Sequence, residues 1–413
     1  MKISALPVIL LVALGFGRAS AAAHPVSFEK ELFITAPEIV AESPEAKPGG
    51  AWHIRTALGK IAGQGVDVNA YAAAWFATWT ENETLAGVHD KFAKRPWVTA
   101  MLQEAWAGNN IHLIAIVNRV DLARFPGGDA SAAPLTLGEG RFIYEIRDSK
   151  GGRLPFTLIF EYGVPFERTS DTKEQLKAWA KRWHALGRPE LASDPGNYRK
   201  ELVALTDAYS ATGTLAQIRT NEFLPAPGGQ PRVWEMREFH HRERPAALLQ
   251  APVAITPAFA FSQDAGGGVE QLRNFIAGKS PDLLAGRHDS LLREFQGASS
   301  PVPSPGFKWE VGDPALARPK FIFSFNTCSG CHAGDTGTFF QHIGVNTGNG
   351  LSPFLKGSIS IAEPLPPESN TEKSHNERQM RIDILNDFSA DSMAPAVQSN
   401  LTRLLQGRAN RVH

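Results

Sequence analysis

The sequence places both of its cysteines beside a histidine, in the five-residue stretch Cys328-Ser329-Gly330-Cys331-His332. Two thiols three positions apart next to an imidazole can do several kinds of chemistry. As C-x-x-C-H they can bond to the two vinyl groups on one edge of a porphyrin, with His332 seated under the iron, which is the attachment signature of c-type haem. As a bare C-x-x-C pair they can cycle as a redox disulfide. With His332 and His342 they can offer four ligands to a structural zinc ion, and as a plain disulfide they can close a small loop. The sequence favours the porphyrin. No βαβ pattern surrounds the pair, and an exported thiolate pair without metal would soon oxidise. Ser329 and Gly330 are small and let the backbone turn closely around a flat group.

Residues 328–332 resemble the haem-binding motif of c-type cytochromes. The resemblance covers those five residues and the size of the segment around them. It implies one covalent haem c, held by Cys328 and Cys331, with His332 ligating the iron. In small cytochromes a methionine several tens of residues downstream usually fills the sixth position. Met393, on a loop in Asp391-Ser392-Met393-Ala394-Pro395, fits that role, and His342 competes with it through bis-histidine ligation. Met380 sits in a helix expected over 375–388, where a methionine more often packs a core. An open distal position is the remaining alternative and would admit peroxide or oxygen. Small cytochromes also lead into the motif with an amphipathic helix. Here Phe321, Phe323 and Phe325 alternate, which predicts a strand.

The N-terminus fits the same compartment. Lys2 precedes an apolar run from Ala5 to Phe16, and Arg18-Ala19-Ser20-Ala21-Ala22-Ala23 leads to His24. A basic start, an apolar stretch of about 7–15 residues and a small-residue exit describe a secretory signal peptide over residues 1–23. The expected location is periplasmic or secreted. Lys plus Arg and Asp plus Glu both total 42. Removing Lys2 and Arg18 leaves 40 basic against 42 acidic side chains, so nothing favours a nucleic-acid partner or an anionic membrane surface. No later segment reaches spanning length.

The elements that must position the motif follow from periodicity. Helical spacing is expected over 69–81, 97–106, 172–186 and 198–209, and strands over 111–117, 141–146, 156–162, 215–224 and 233–239. Short helices are expected near 269–276 and 289–295. The mixture predicts an α+β domain over 24–296. Pro301, Pro303 and Pro305, set among small residues, predict an exposed linker over 297–319. A small, mainly helical, cytochrome c-like haem-binding domain is expected over 320–413. Asp121 and Glu161, at strand ends, could form a carboxylate pair, and His240-His241-Arg242-Glu243-Arg244 reads as a solvated strand end. Three functions are consistent with this sequence. The first is electron transfer by a monohaem c-type protein, with a redox partner protein or a small-molecule substrate. The second is a haem-dependent peroxidase or oxygenase with its site between the domains. The third is a secreted, non-haem binding protein with a local disulfide.

Overall fold

Within Glu139–Arg147 the side chains alternate strictly: Phe142, Tyr144 and Ile146 point one way, and Glu139, Arg141, Ile143 and Glu145 the other. A strand with this period has two unlike faces, and both must be covered because nearly every residue on it is buried. The computed structural model describes residues 24–123, 136–167, 171–225, 227–229, 232–285, 291–348, 350–364 and 374–390. Seven strands form one antiparallel sheet whose order follows the chain. They are β1 (Phe33–Ile34), β2 (Ile111–Arg119), β3 (Glu139–Arg147), β4 (Arg153–Gly163), β5 (Leu215–Glu222), β6 (Glu238–Glu243) and β7 (Ala246–Ala251). The fold is therefore mixed, a large antiparallel sheet with several helices.

The apolar face is packed by helices. α1 (Ile54–Ala62), α2 (Val68–Ala77), α3 (Pro96–Ala107), α4 (Thr172–His184) and α5 (Pro195–Tyr209) all bury an apolar stripe. Trp75 of α2 meets Phe160 and Phe239 edge-on at 6.3 and 5.7 Å, and Tyr209 of α5 lies 5.7 Å from Phe142. Gly140 is required here because a Cβ would stand 2.4 Å from ring carbons of Tyr209.

The other face carries charge. Register sets Arg119 against Glu139, Arg141 against Glu161, and Arg219 against Glu238. Three ion pairs run across the strands, Arg141–Glu161 at 3.2 Å, Arg219–Glu161 at 3.3 Å and Arg219–Glu238 at 2.9 Å, and two join residues two apart in the chain, Arg119–Asp121 at 2.9 Å and Arg141–Glu139 at 2.7 Å. All of these side chains are buried. Burial opposes the charge on Glu238, but Arg219 outweighs it and holds the carboxyl down to about 2. Asp121 and Glu161 are thus bound to separate arginines and do not form the carboxylate pair considered from sequence.

The segment expected as an exposed linker is woven into the fold. Ala298, Ser300 and Val302 are buried, and Val302 exchanges backbone hydrogen bonds with Trp234. Alternate small and apolar side chains let this extended run pair as a strand would, an option that its prolines disguised. The expected strand over 233–239 is displaced: β6 starts at Glu238, and before it only isolated bridges join Glu235 to Glu222 and Trp234 to Val302. The helix expected near 269–276 is α6 (Gly268–Leu284), whereas the one expected near 289–295 reduces to a 3-10 turn at Arg293–Phe295, its first two residues lying outside the described ones. Residues expected as a signal peptide also lie outside them. Among the described residues no helix is long and apolar enough to cross a membrane.

Two predictions follow from these faces. Gly140→Ala should destabilise the fold by about 1–3 kcal/mol through overpacking, whereas Gly59→Ala, in open space within α1, should stabilise it by up to about 1 kcal/mol; urea unfolding measures both. Acid should act in two stages. Burial lowers the His112 imidazole from 6.5 to about 4, with Arg147 adding to the effect, and Glu238 lies at about 2 against an ordinary 4.5. Each group binds its proton more readily in the unfolded chain, so stability is full above about pH 6.5 and is lost as pH falls through 4 and then towards 2. Unfolding midpoints measured from pH 8 to 3 should show this decline, with a shallower upper stage in His112→Gln.

Candidate functional site

The motif is presented by a helix after all. Lys320-Phe321-Ile322-Phe323-Ser324-Phe325 belongs to α7 (Ala317–Phe325), not to the strand predicted from its alternating aromatics. The physical reason is that both sides of this helix are packed. Phe321 and Phe325 are neighbours at i and i+4, 5.4 Å apart, while Phe323 faces a second apolar cluster with Phe275. Alternation therefore reported two buried faces and not a pleat. Thr327 then caps the single turn α8 (Cys328–Cys331): its hydroxyl oxygen accepts from Gly330 N at 3.0 Å and donates to the Ser324 carbonyl at 2.8 Å. Gly330 fits only without a side chain, because a Cβ would lie 2.0 Å from the Ser324 carbonyl oxygen.

His332 follows directly and is held on several sides. Its Nδ1 donates to the Phe340 carbonyl at 2.6 Å, which assigns the tautomer and leaves the lone pair on Nε2. Its ring stacks on Trp234 at 5.1 Å. Asn221 of β5 donates to the same Phe340 carbonyl at 3.1 Å and accepts from Trp234 Nε1 at 2.7 Å. Phe340 adopts a positive φ of 62°, an unusual backbone for a phenylalanine, and its ring is pinned by Phe223 at 4.7 Å and Trp234 at 5.9 Å. Strain of about 1–3 kcal/mol is thus spent on aiming a carbonyl at an imidazole. Burial lowers the His332 pKa to about 4, so the ring is neutral at ordinary pH.

His342 is brought to the same place. Its ring lies 4.5 Å from that of His332, its Nε2 is 3.3 Å from Cys331 Sγ, and its Nδ1 bonds Ser352 Oγ at 3.0 Å. Cys331, His332 and His342 share the wall of a cavity of about 70 Å³ on the charged face of the sheet. Phe33, Val117, Ile143, Ile159, Phe354 and Leu355 supply its apolar wall, and Arg119, Arg141 and Arg381 its cationic one. Arg381 comes from α9 (Glu377–Ser389), which packs on α4 and on the one-turn helix Pro353–Lys356. Met380 is on α9 beside Arg381 but does not line the cavity. Met393 lies outside the described residues.

Both thiols are free and buried. Burial pushes the Cys328 thiol up and the Cys331 thiol well above its ordinary value. A redox C-x-x-C pair needs a depressed thiol pKa, and these environments do the opposite. The zinc set considered from sequence does not converge: among the described residues the one group of three or more metal-ligating side chains drawn together is His24, Glu31 and His184. Sequence reading missed that trio, together with Asn221, Trp234 and Phe340. The trio spans 160 positions and left no local trace. The strand alternation Glu139-x-Arg141 and Gln217-x-Arg219-x-Asn221 did signal a polar face that needed cover.

No family model matches the chain. No solved structure matches it. A stretch of 94 residues, 22% of the chain, is 35% identical to Protein Dok-7 of Mus musculus, and it spans 19% of that protein's length.

The tight turn of the motif can be tested by substitution. Gly330→Ala should lower stability by about 1–3 kcal/mol. Ser329→Ala should be neutral or slightly stabilising, because the Ser329 hydroxyl is buried with no hydrogen-bond partner among the described residues. Chemical denaturation of the two variants separates these outcomes.

Proposed function

We propose that this chain is an exported monohaem c-type protein that transfers electrons, with one haem bonded through Cys328 and Cys331 and its iron on His332. The observation that carries the reading is the state of His332: neutral, fixed in the Nδ1–H tautomer by the Phe340 carbonyl, and set beside two free thiols on one helical turn. That is what a proximal ligand requires. The donor set therefore fits a c-type haem, which when bound would supply a one-electron iron couple. His342, which lines the cavity beside His332, would be the sixth donor rather than Met380, which does not line it.

The fit sets two conditions. A cavity of about 70 Å³ is far too small for a porphyrin, so the His342 ring must move off His332. Glycines at 344 and 348, both at positive φ, give the following turn the backbone freedom for that. The thiols are buried, so bonding to them must come before this part of the chain closes. On this reading residues 320–413 are the haem-binding unit, whose described helices are α7, α8, Pro353–Lys356 and α9, against an α+β body that docks a redox partner protein or a small substrate. A second reading is a haem-dependent peroxidase or oxygenase, whose small-molecule substrate would enter the cavity that Cys331, His332 and His342 share.

Expression with a cytochrome maturation system decides the matter. The purified protein should be red, keep its haem through acid–acetone extraction, and begin at His24 if the signal is cut after Ala23. Cys328→Ala or Cys331→Ala should each remove one thioether, and His342→Ala should convert a low-spin ferric spectrum to high-spin. A colourless product with Cys328 and Cys331 linked to each other would overturn the proposal. A wild-type high-spin form that reacts rapidly with peroxide would favour the enzyme.

A further inference from the structure

A second constellation lies where the chain first enters the fold. Residues Phe28–Leu32 form a π-helical turn, a geometry that is rare and recurs at functional sites. The turn directs Glu31 inward until it is fully buried. Its Oε1 accepts from Ser27 N at 2.8 Å, its Oε2 lies 2.8 Å from His184 Nδ1 at the end of α4, and His24 Nε2 is 3.7 Å from Oε1. The two imidazoles stack at 4.1 Å. One ligand atom from each of the three residues falls within 4.8 Å of the others. Position 187 is shaped around them: a Cβ on Gly187 would stand 1.8 Å from Glu31 Oε1 and 2.8 Å from His24 Nε2.

A buried carboxylate needs a compensating charge. Among the described residues Glu31 meets His24 and His184 and no lysine or arginine. Two imidazoles and a carboxylate are also a donor set that holds zinc with one position left for water, or a first-row ion such as iron. Both histidines are partly exposed, which leaves a path for the ion and its water. Donor atoms about 2.1 Å from a common zinc are about 3.4 Å apart in a tetrahedral site; here His184 Nδ1 is 2.8 Å from Glu31 Oε2 and His24 Nε2 is 3.7 Å from Oε1, so the two oxygens of one carboxylate each face an imidazole. His24 Nε2 has only to exchange its bond to the His184 carbonyl, at 2.9 Å, for the ion.

We infer that His24, Glu31 and His184 form a binding site for a divalent transition-metal ion, separate from the Cys328–His332 motif. The site neutralises Glu31 and ties the first segment of the fold to the end of α4.

Zinc is the probe. Titration of the full exported protein with Zn²⁺ alone, followed by calorimetry, should show one saturable site per chain. Loss of a ligand in His184→Ala or Glu31→Gln should weaken it by more than about 100-fold, beyond what loss of an outer-sphere partner costs. Gly187→Ala, which removes no donor, should weaken it by crowding the carboxylate, and His342→Ala should leave it unchanged. X-ray absorption of the zinc-loaded wild type should show nitrogen and oxygen neighbours only, a readout that needs no variant to fold. Absence of a saturable site would overturn the inference, as would a sulfur neighbour or a loss of binding in His342→Ala with none in His184→Ala.

Discussion

The sheet has to bury a row of charges. From Arg141 through Glu161 and Arg219 to Glu238, alternating cations and anions cross strands β3 to β6, each shielded from water. Such a row is tolerable only if every member keeps its partners, since stripping one partner from a buried pair costs about 3–5 kcal/mol. Strand register supplies that pairing, so the register and the charges enforce each other. A slip by one residue would put the arginines among the aromatic rings of α2 and α5. The row also explains why the motif sits where it does. A paired but polar surface cannot be sealed by an oily layer, and α7, α8 and the turn after His332 bring polar and apolar groups to it in turn.

Much of the body was legible from spacing. The helices holding Trp75, Trp179 and Trp183, and the runs at 111–117 and 156–162, were read as the elements they form, because each buries one clear stripe or a continuous apolar core, although the helix of Trp75 ends at Ala77 and leaves Trp79 beyond it. The failures share one cause. At 320–326 and 297–306 the sequence answers to neighbours on more than one side, and period then ceases to identify the element. Alternating phenylalanines were a two-sided helix, and alternating prolines were a paired extended run.

The site was legible in part. Cys328, Cys331 and His332 announce themselves by adjacency, and His342 was named from its position ten residues on. What holds them was not legible. Asn221 and Trp234 are more than ninety residues from the motif, and their role depends on β5 and the bridge at Trp234 having formed. The aim of the Phe340 carbonyl rests on a backbone angle that no composition rule foretells.

The order of strands in the sheet has a consequence for a chain made from its N-terminus. β2 through β7 lie side by side in the sequence in which they are synthesised, so the sheet can be complete while residues beyond 300 are still within the ribosome. Until then its uncovered face shows water paired ions interspersed with Val117, Ile143 and Ile159, and the last stretch of chain, the motif with it, is what closes over them.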